Sequence, residues 1–549
     1  MAKITIYQLF PRIFGNITNV NKAWGSIEEN GCGKFNNIND NTILSLKDLG
    51  ITHIWLTGII RHSTTTDYST NKLPADNPLI VKGRAGSPYA INDYFDVDPD
   101  LACNVQNRMK EFEELIERIH NHGLKVVIDF VPNHVARQYN SNPNYGKSYI
   151  SSSKYILGAK ENNSKGFDIN NNFYYLENEA FVVPDEAFTF AEHFSSTIKE
   201  YLEFPAKATG NDCFTSKPSV NDWYETIKLN YGIDFINNTK HFDPIPGTWL
   251  CMNEILHFWA SKGIDGFRCD MAEMVPHEYW KWQINEIKTI FPEILFIAEI
   301  YKRELYEIFL QEANFDFLYD KVGMYDNLRD VLERKRSVLA ITKSWQNTDG
   351  LNDKMLRFME NHDEQRIASH FFVGDAYKAL PACAISVFLH QGPFMIYNGQ
   401  EFGEKAEGSE GYSGNDGRSS IFDYWSIDCL RRWNNNGNFN IEQLSEKEKN
   451  LRNKYSIILN EAINEPAISN GKFYDLMWIN THLVDINCYV FIRSFNSQNI
   501  IYAVNFNEFA IDVKININKH VFEFIDSDLK DDITIETNIE GYWWKKFLM

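Results

Sequence analysis

One local pattern occurs three times in this 549-residue chain and narrows its fold more than any other feature: an amphipathic segment, a glycine, then an apolar run. It reads LSLKDLG then ITHIWLTG at 44–58, ELIERIHNHG then LKVVIDFV at 114–131, and LHFWASKG then IDGFRCD at 256–270. In the second copy Phe112, Leu115, Ile116 and Ile119 fall on one helical stripe, and Gly123 stands where a left-handed residue would end the helix and turn the chain straight into a strand. Repeated helix-to-strand units of this type build a mostly parallel sheet with helices packed outside it.

Five further apolar runs extend the series: ITIYQLF (4–10), ILFIAEI (294–300), FDFLYD (315–320), MLRFME (355–360) and PFMIYNG (393–399). Together they make eight strands, the number that closes a (β/α)8 barrel. An open doubly wound sheet satisfies the same alternation, but no glycine-rich phosphate fingerprint accompanies it.

Two regions break the alternation. Between the third and fourth strands, residues 135–246 are rich in Asn, Ser and Tyr with only short apolar runs, and a connection that long is expected to form a subdomain around aromatics such as Phe173, Tyr174, Tyr175 and Trp223. The second region, 465–549, follows an expected last helix that starts with a capping box at Ser445 and Glu448 and carries the stripe Leu451, Tyr455, Ile458 and Leu459. Within it NCYVFIRSF, NIIYAVNF and IDVKINI alternate as strands of a small antiparallel domain. The expected division is therefore a barrel over 1–134 and 247–464, an inserted subdomain over 135–246 and a C-terminal β domain over 465–549.

With 44% hydrophobic residues the chain can bury a large core, and its formal charge of −20 speaks against a nucleic-acid partner, which wants a basic face. The eight cysteines are scattered singly, without metal-ligand spacing, and read as free thiols. The start, MAKITIYQLFPRIF, has no export-signal pattern, and the most apolar window, 379–397, is interrupted by Pro381, His390, Gln391 and Pro393. A cytoplasmic protein that neither spans a membrane nor binds nucleic acid is the expectation.

The chemistry gathers where strands end. GFRCD (266–270), FIAE (296–299) and FMENHD (358–363) each deliver a carboxylate: Asp270, Glu299 and Asp363. Residues two apart on a strand share a face, so Arg268 and Asp270 should point together into the barrel while Cys269 packs outward. Barrel enzymes build their sites at the C-terminal strand ends, so the three acids should converge there. Two carboxylates about 5–5.5 Å apart can cleave a glycosidic bond with retention, one attacking the anomeric carbon and the other moving the proton. A nearby arginine would keep the attacking acid ionised. A single strand-end Asp is most often a cap or turn residue, and His134 and His362, each after an Asn, are by themselves more often structural donors; only the three acids taken together point to catalysis.

Taken in order, DFVPNH (129–134), GFRCDMA (266–272), FIAEI (296–300) and FMENHD (358–363) resemble the four short conserved regions of the α-amylase family of retaining glycoside hydrolases and transglycosylases. That resemblance implies a (β/α)8 barrel, a B subdomain inserted after strand three and a C-terminal β-sandwich. It further implies Asp270 as nucleophile, Glu299 as general acid/base and Asp363 as transition-state stabiliser. Arg268, His134 and His362 match sugar-binding residues at the cleavage subsite. Tyr89, in SPYAINDY, is similar to the tyrosine stacked under that sugar, with Asp93 as its partner acid, and Arg366 is similar to an arginine of oligosaccharide-acting members. The segment GPFMIYNGQEFGE (392–404) is similar to the family's eighth-strand motif. Asn133 matches the asparagine that binds structural Ca²⁺ in calcium-containing members; no cofactor is needed for the chemistry itself.

One departure bears on substrate. Many starch-cleaving members carry Lys-His just after the nucleophile segment, and this chain has Glu273 and Met274 there. The expectation is a hydrolase of α-glucan oligosaccharides working through a covalent glycosyl-Asp intermediate. A transglycosylase or a sucrose- or trehalose-type isomerase would share that intermediate. A non-catalytic binding or transporter-accessory protein is the third reading, set against the presence of all three acids.

Overall fold

A computed structural model describes residues 3–139, 155–195, 198–496 and 498–549. Eight parallel strands close into a barrel: β1 (Thr5–Leu9), β2 (His53–Leu56), β3 (Lys125–Phe130), β4 (Gly266–Cys269), β5 (Leu295–Ala298), β6 (Phe317–Tyr319), β7 (Met355–Phe358) and β8 (Phe394–Tyr397), with β8 pairing back onto β1. All eight strands expected from the apolar runs are present, and the open-sheet alternative is excluded by the closure.

The glycines of the repeated unit act as expected. Gly50, Gly123 and Gly263 have φ of +101°, +79° and +92°, a left-handed backbone that side-chain-bearing residues rarely adopt. The helix before Gly123, α1 (Arg108–Asn121), buries Phe112, Leu115, Ile116 and Ile119 against the outside of the sheet. Alternation along the strands then separates two cores. Ile6, Trp55, Val127, Ile297, Tyr319, Leu356, Phe358 and Met395 fill the barrel interior, while residues of the opposite parity, including Cys269, join the larger core under the helices.

Between β3 and β4 the chain forms short two-stranded ladders: His134–Ala136 pairs with Thr226–Lys228, and Tyr175–Leu176 with Ala206–Lys207. Phe173, Tyr174 and Tyr175 are buried there. After β8, a helix α2 (Glu446–Asn464) begins at Ser445 with the expected capping box to Glu448 and buries Leu451, Tyr455, Ile458 and Leu459. The C-terminal region is two antiparallel sheets, one of four strands (Lys472–Asp475, Cys488–Phe495, Gln498–Asn505, Trp543–Leu548) and one of two (Ile511–Ile517, Ile533–Ile539). All eight cysteines are free. Among the described residues no helix is long and apolar enough to cross a membrane.

Candidate active site

The parallel register sets Cys269 beside Ala298, so the next residues on β4 and β5, Asp270 and Glu299, leave the barrel side by side at its C-terminal rim. Their backbones confirm it: Asp270 N–H donates to Phe130 O (2.9 Å) and Glu299 N–H to Cys269 O (3.1 Å). Arg268, two residues before Asp270, points into the same barrel end. Its Nη1 lies 2.8 Å from Asp270 Oδ1 and 3.3 Å from Asp129 Oδ1, and its Nη2 2.8 Å from Glu299 Oε2. One guanidinium thus bridges three carboxylates. Nε donates to the Tyr319 hydroxyl (3.2 Å), and the cation is boxed by the rings of Trp55, Tyr89 and Tyr319, with centroids 5.3–5.5 Å from its central carbon.

Above this layer opens a cavity of about 370 Å³. Asp270, Glu299 and Asp363 all line it, with Tyr89, His134 and His362. Asp270 and Glu299 are almost closed off, at 8% and 4% side-chain exposure, whereas Asp363 at 42% is the acid most open to an incoming ligand. Asp363 stands on the loop after β7, where Asn361 Oδ1 accepts from its backbone N–H (2.9 Å). Glu299 is held at both oxygens: Oε1 accepts from the Tyr301 hydroxyl (2.6 Å) and Oε2 from Met271 N–H (2.9 Å).

The electrostatics differ from the expectation at one point. The Asp270 carboxyl is pushed well above the ordinary carboxylate range, first by burial and second by the neighbouring Glu299; Arg268 pulls the other way and does not prevail. Asp129, beneath it, is raised to about 6 by burial, against the pull of Arg268. Burial is also the largest cause holding His134 and His362 down to about 3, so both rings are neutral at physiological pH. Gln8 Nε2 lies 2.8 Å from His362 Nδ1; with that amide donating, the ring proton sits on Nε2, which faces the Tyr89 hydroxyl and Asp363 Oδ2 (3.2 Å). Tyr89 and His362 also stack, with centroids 5.2 Å apart.

Of the residues expected at the sugar, Arg268 is buried beneath the cavity and does not line it, and two others are elsewhere. Asp93, on the strand Ile91–Val97, faces Arg61 (3.8 Å) across a two-stranded ladder, its Oδ1 accepting from Phe95 N–H, and does not line the cavity. Arg366 is fully buried beside the barrel: Nη1 pairs with Glu360 (2.9 Å), Nε donates to Ser419 Oγ (3.0 Å), and the guanidinium lies over Tyr397. It braces the loop after β8 and is closed off from ligand. Asn133 is occupied as well. Its Nδ2 donates to Gly210 O (2.7 Å) and its Oδ1 accepts from the Lys228 ammonium, so the oxygen expected to bind calcium already faces a cation.

Trp223, expected only as a packing aromatic of the insertion, lines the cavity beside His134; Lys82 and Glu225, which pair at 3.0 Å, Tyr301, and Ile421 and Phe422 from the loop after β8 line it without any pattern in the sequence that points to them. Gln8, Asp129 and Tyr319 could have been found, since each is a polar group at an inward position of an otherwise apolar strand. Glu273, where the starch-cleaving pattern has Lys, turns its carboxylate to the backbone N–H groups of Tyr301 and Lys302 (2.9 Å each) and so ties the loop after β4 to the loop after β5.

A closed eight-stranded barrel with paired carboxylates on adjacent strand ends, a shared arginine and a third acid facing them defines a carbohydrate-cleaving barrel enzyme. The family model for the α-amylase catalytic domain matches residues 8–218 and 250–453, and the chain belongs to that family of glycoside hydrolases. Among curated relatives, α-amylase 3 of Dictyoglomus thermophilum is 26% identical over 409 residues, covering 70% of this chain and 68% of that protein. A cyclomaltodextrin glucanotransferase of Geobacillus stearothermophilus is 23% identical over 527 residues, which cover 91% of this chain but only 59% of its own length. The ligand-free structure of the cyclic α-maltosyl-(1→6)-maltose hydrolase of Arthrobacter globiformis superposes with a TM-score of 0.62 at 15% identity, covering 100% of this chain and 98% of that one, a likeness of fold.

Proposed function

We propose that the protein is a retaining α-glucosidic hydrolase acting on α-glucan oligosaccharides. The observation that carries this reading is the emergence of Asp270 and Glu299 from neighbouring strands under one guanidinium. Neighbouring strands lie about 4.8 Å apart. That spacing suits the shorter separation used for retention, about 5–5.5 Å, and not the longer one that leaves room for a water between acid and base.

In this reading Asp270 attacks the anomeric carbon while Glu299 protonates the departing glycosidic oxygen, leaving a glycosyl ester on Asp270. The ionised Glu299 then takes a proton from water, which attacks the same carbon and releases Asp270. Asp363, open to the cavity, accepts hydrogen bonds from ring hydroxyls and lies where positive charge develops on the sugar. The neutral His134 and His362 serve as hydrogen-bonding groups to the sugar, and Tyr89 supplies an aromatic face. The cavity, open on one side and lined by Trp223, Phe422 and the Lys82–Glu225 pair, has the volume of a few sugar rings, which suits short oligosaccharides.

The test is incubation with maltose, maltotriose to maltoheptaose, isomaltose, panose, sucrose, trehalose, starch and pullulan, with products resolved by chromatography and the first-formed anomer read by NMR. Free sugars released as the α-anomer support the proposal. A β-anomer would overturn retention, longer or isomerised products would assign the chain to transfer, and no turnover with retained glucan binding would make it a binding protein.

A further inference from the structure

We propose that the ammonium of Lys228 is the resident cation of the junction between barrel and insertion, standing where the resemblance at Asn133 would place calcium. Lys228 ends the short strand Thr226–Lys228, opposite His134 in the ladder, and its side chain is 3% exposed. An ammonium has three N–H donors and no acceptor. Three oxygens converge on this one: Asn133 Oδ1, Asp212 Oδ1 at 2.6 Å and the Met274 carbonyl at 3.3 Å.

These oxygens come from three separate pieces of chain. Asn133 follows β3 and precedes His134; Met274 closes the turn Ala272–Met274 just after Asp270; Asp212 belongs to the insertion. The Asn133 amide is aimed by its own Nδ2, which donates to Gly210 O, and Gly210 packs so closely on His134 that an added Cβ would lie 2.7 Å from the His134 Cβ. The junction is therefore built to a cation, and the side chain that fills it belongs to the chain itself.

A calcium ion does not fit the same place. It takes six to eight oxygens at about 2.3–2.6 Å, and here three oxygens already surround a buried positive charge that would repel a dication. Met274 meets the ammonium through its main-chain carbonyl, which any residue at that position would supply, while its Sδ accepts from Asn133 Nδ2 (3.7 Å). The consequence is that the loops carrying His134 and Asp270 are clamped by a covalently attached cation that chelators cannot remove.

The experiment is thermal unfolding of the full-length protein, dialysed against EDTA and then titrated with CaCl2, alongside Lys228→Met. The wild type is expected to melt at the same temperature in EDTA and in calcium, and elemental analysis should find no stoichiometric calcium. Lys228→Met should melt several degrees lower, because it strands the Asn133 and Met274 oxygens without a donor. A wild-type melting temperature that falls in EDTA and recovers with calcium overturns the proposal, as does a Lys228→Met protein as stable as the wild type. If that variant does not fold, the chelation and calcium measurements on the wild type decide alone.

Discussion

Arg268 Nη1 rests 2.8 Å from Asp270 Oδ1, a contact between two residues of one barrel strand that share a face because they are two apart. The pair is buried, and the same guanidinium also holds Glu299 and Asp129. One cation thus faces three acids, and burial together with the neighbouring Glu299 tips the Asp270 carboxyl towards its protonated form against the pull of Arg268.

Arg268→Lys should expose that balance. Lysine keeps the charge but cannot bridge two carboxylates with one planar fork, so the opposing influences of burial and Glu299 should raise the Asp270 carboxyl further. An attacking carboxylate must be ionised, so activity falls as pH drops through its pKa. The acid limb of the kcat/KM profile should therefore move to higher pH, with kcat at neutral pH lower by about 10²-fold. A limb that stays in place while kcat falls would mean that Arg268 orients the acid without tuning it.

Asp270→Asn should abolish turnover yet leave a protein at least as stable as the wild type at neutral pH. A carboxyl whose folded pKa lies above its unfolded value, near 3.9, contributes stability below that value and loses it as pH rises towards the folded pKa. Asparagine never ionises, and Arg268 retains Glu299 and Asp129. The melting temperatures of the two proteins should coincide below about pH 4 and separate in favour of the variant above it. A variant less stable throughout would show that the Arg268 pairing outweighs burial.

Glu299→Gln should cost about 10²–10⁴-fold in kcat on substrates with poor leaving groups and much less on an activated aryl glycoside, whose leaving group needs no proton. Tyr301→Phe removes one of the two donors to Glu299 and should cost about 10-fold by loosening that carboxyl, an effect of one lost hydrogen bond to a charged group. Asp363→Asn should lower kcat by about 10²–10³-fold. Equal losses for Glu299→Gln on both substrate types would remove Glu299 from the role of acid.

What could be read from the chain and what could not divide along physical lines. Eight strands, the left-handed Gly123, the capping box at Ser445 and the inward parity of Arg268 all follow from local periodicity or local backbone sterics. Asp93 and Arg366 were placed at the ligand because a motif gives position along the chain; it does not say which neighbour captures a side chain, and Arg61 and Glu360 capture these two. Glu401, in the segment that resembles the eighth-strand motif, is fully buried against the Tyr7 hydroxyl (2.8 Å) and Arg452 (3.3 Å), partners some 394 and 51 residues away that no local pattern points to. The insertion lacks periodicity, so nothing local announced that Lys228, Trp223 or Glu225 would meet the barrel rim.

Arg366 offers the sharpest separation of the motif's implication from the fold's. If it bound sugar, Arg366→Met would chiefly raise KM; in the structure its partners are Glu360 and Ser419, and no ligand can reach it. Removing one member of a buried pair costs about 3–5 kcal/mol, so the variant should be strongly destabilised. The pH dependence gives the sign of the effect. Burial raises the Glu360 carboxyl to about 7 even with Arg366 beside it, so in the wild type its contribution is present below about pH 4.3, declines as pH rises and levels off past 7. Without Arg366 the carboxyl rises further and the decline continues, so the stability deficit of Arg366→Met should widen above pH 7. Replacing both partners, as in Arg366→Met with Glu360→Met, should recover much of the loss, because no buried charge is left unpaired. A single variant with wild-type melting behaviour and a raised KM would return Arg366 to the substrate.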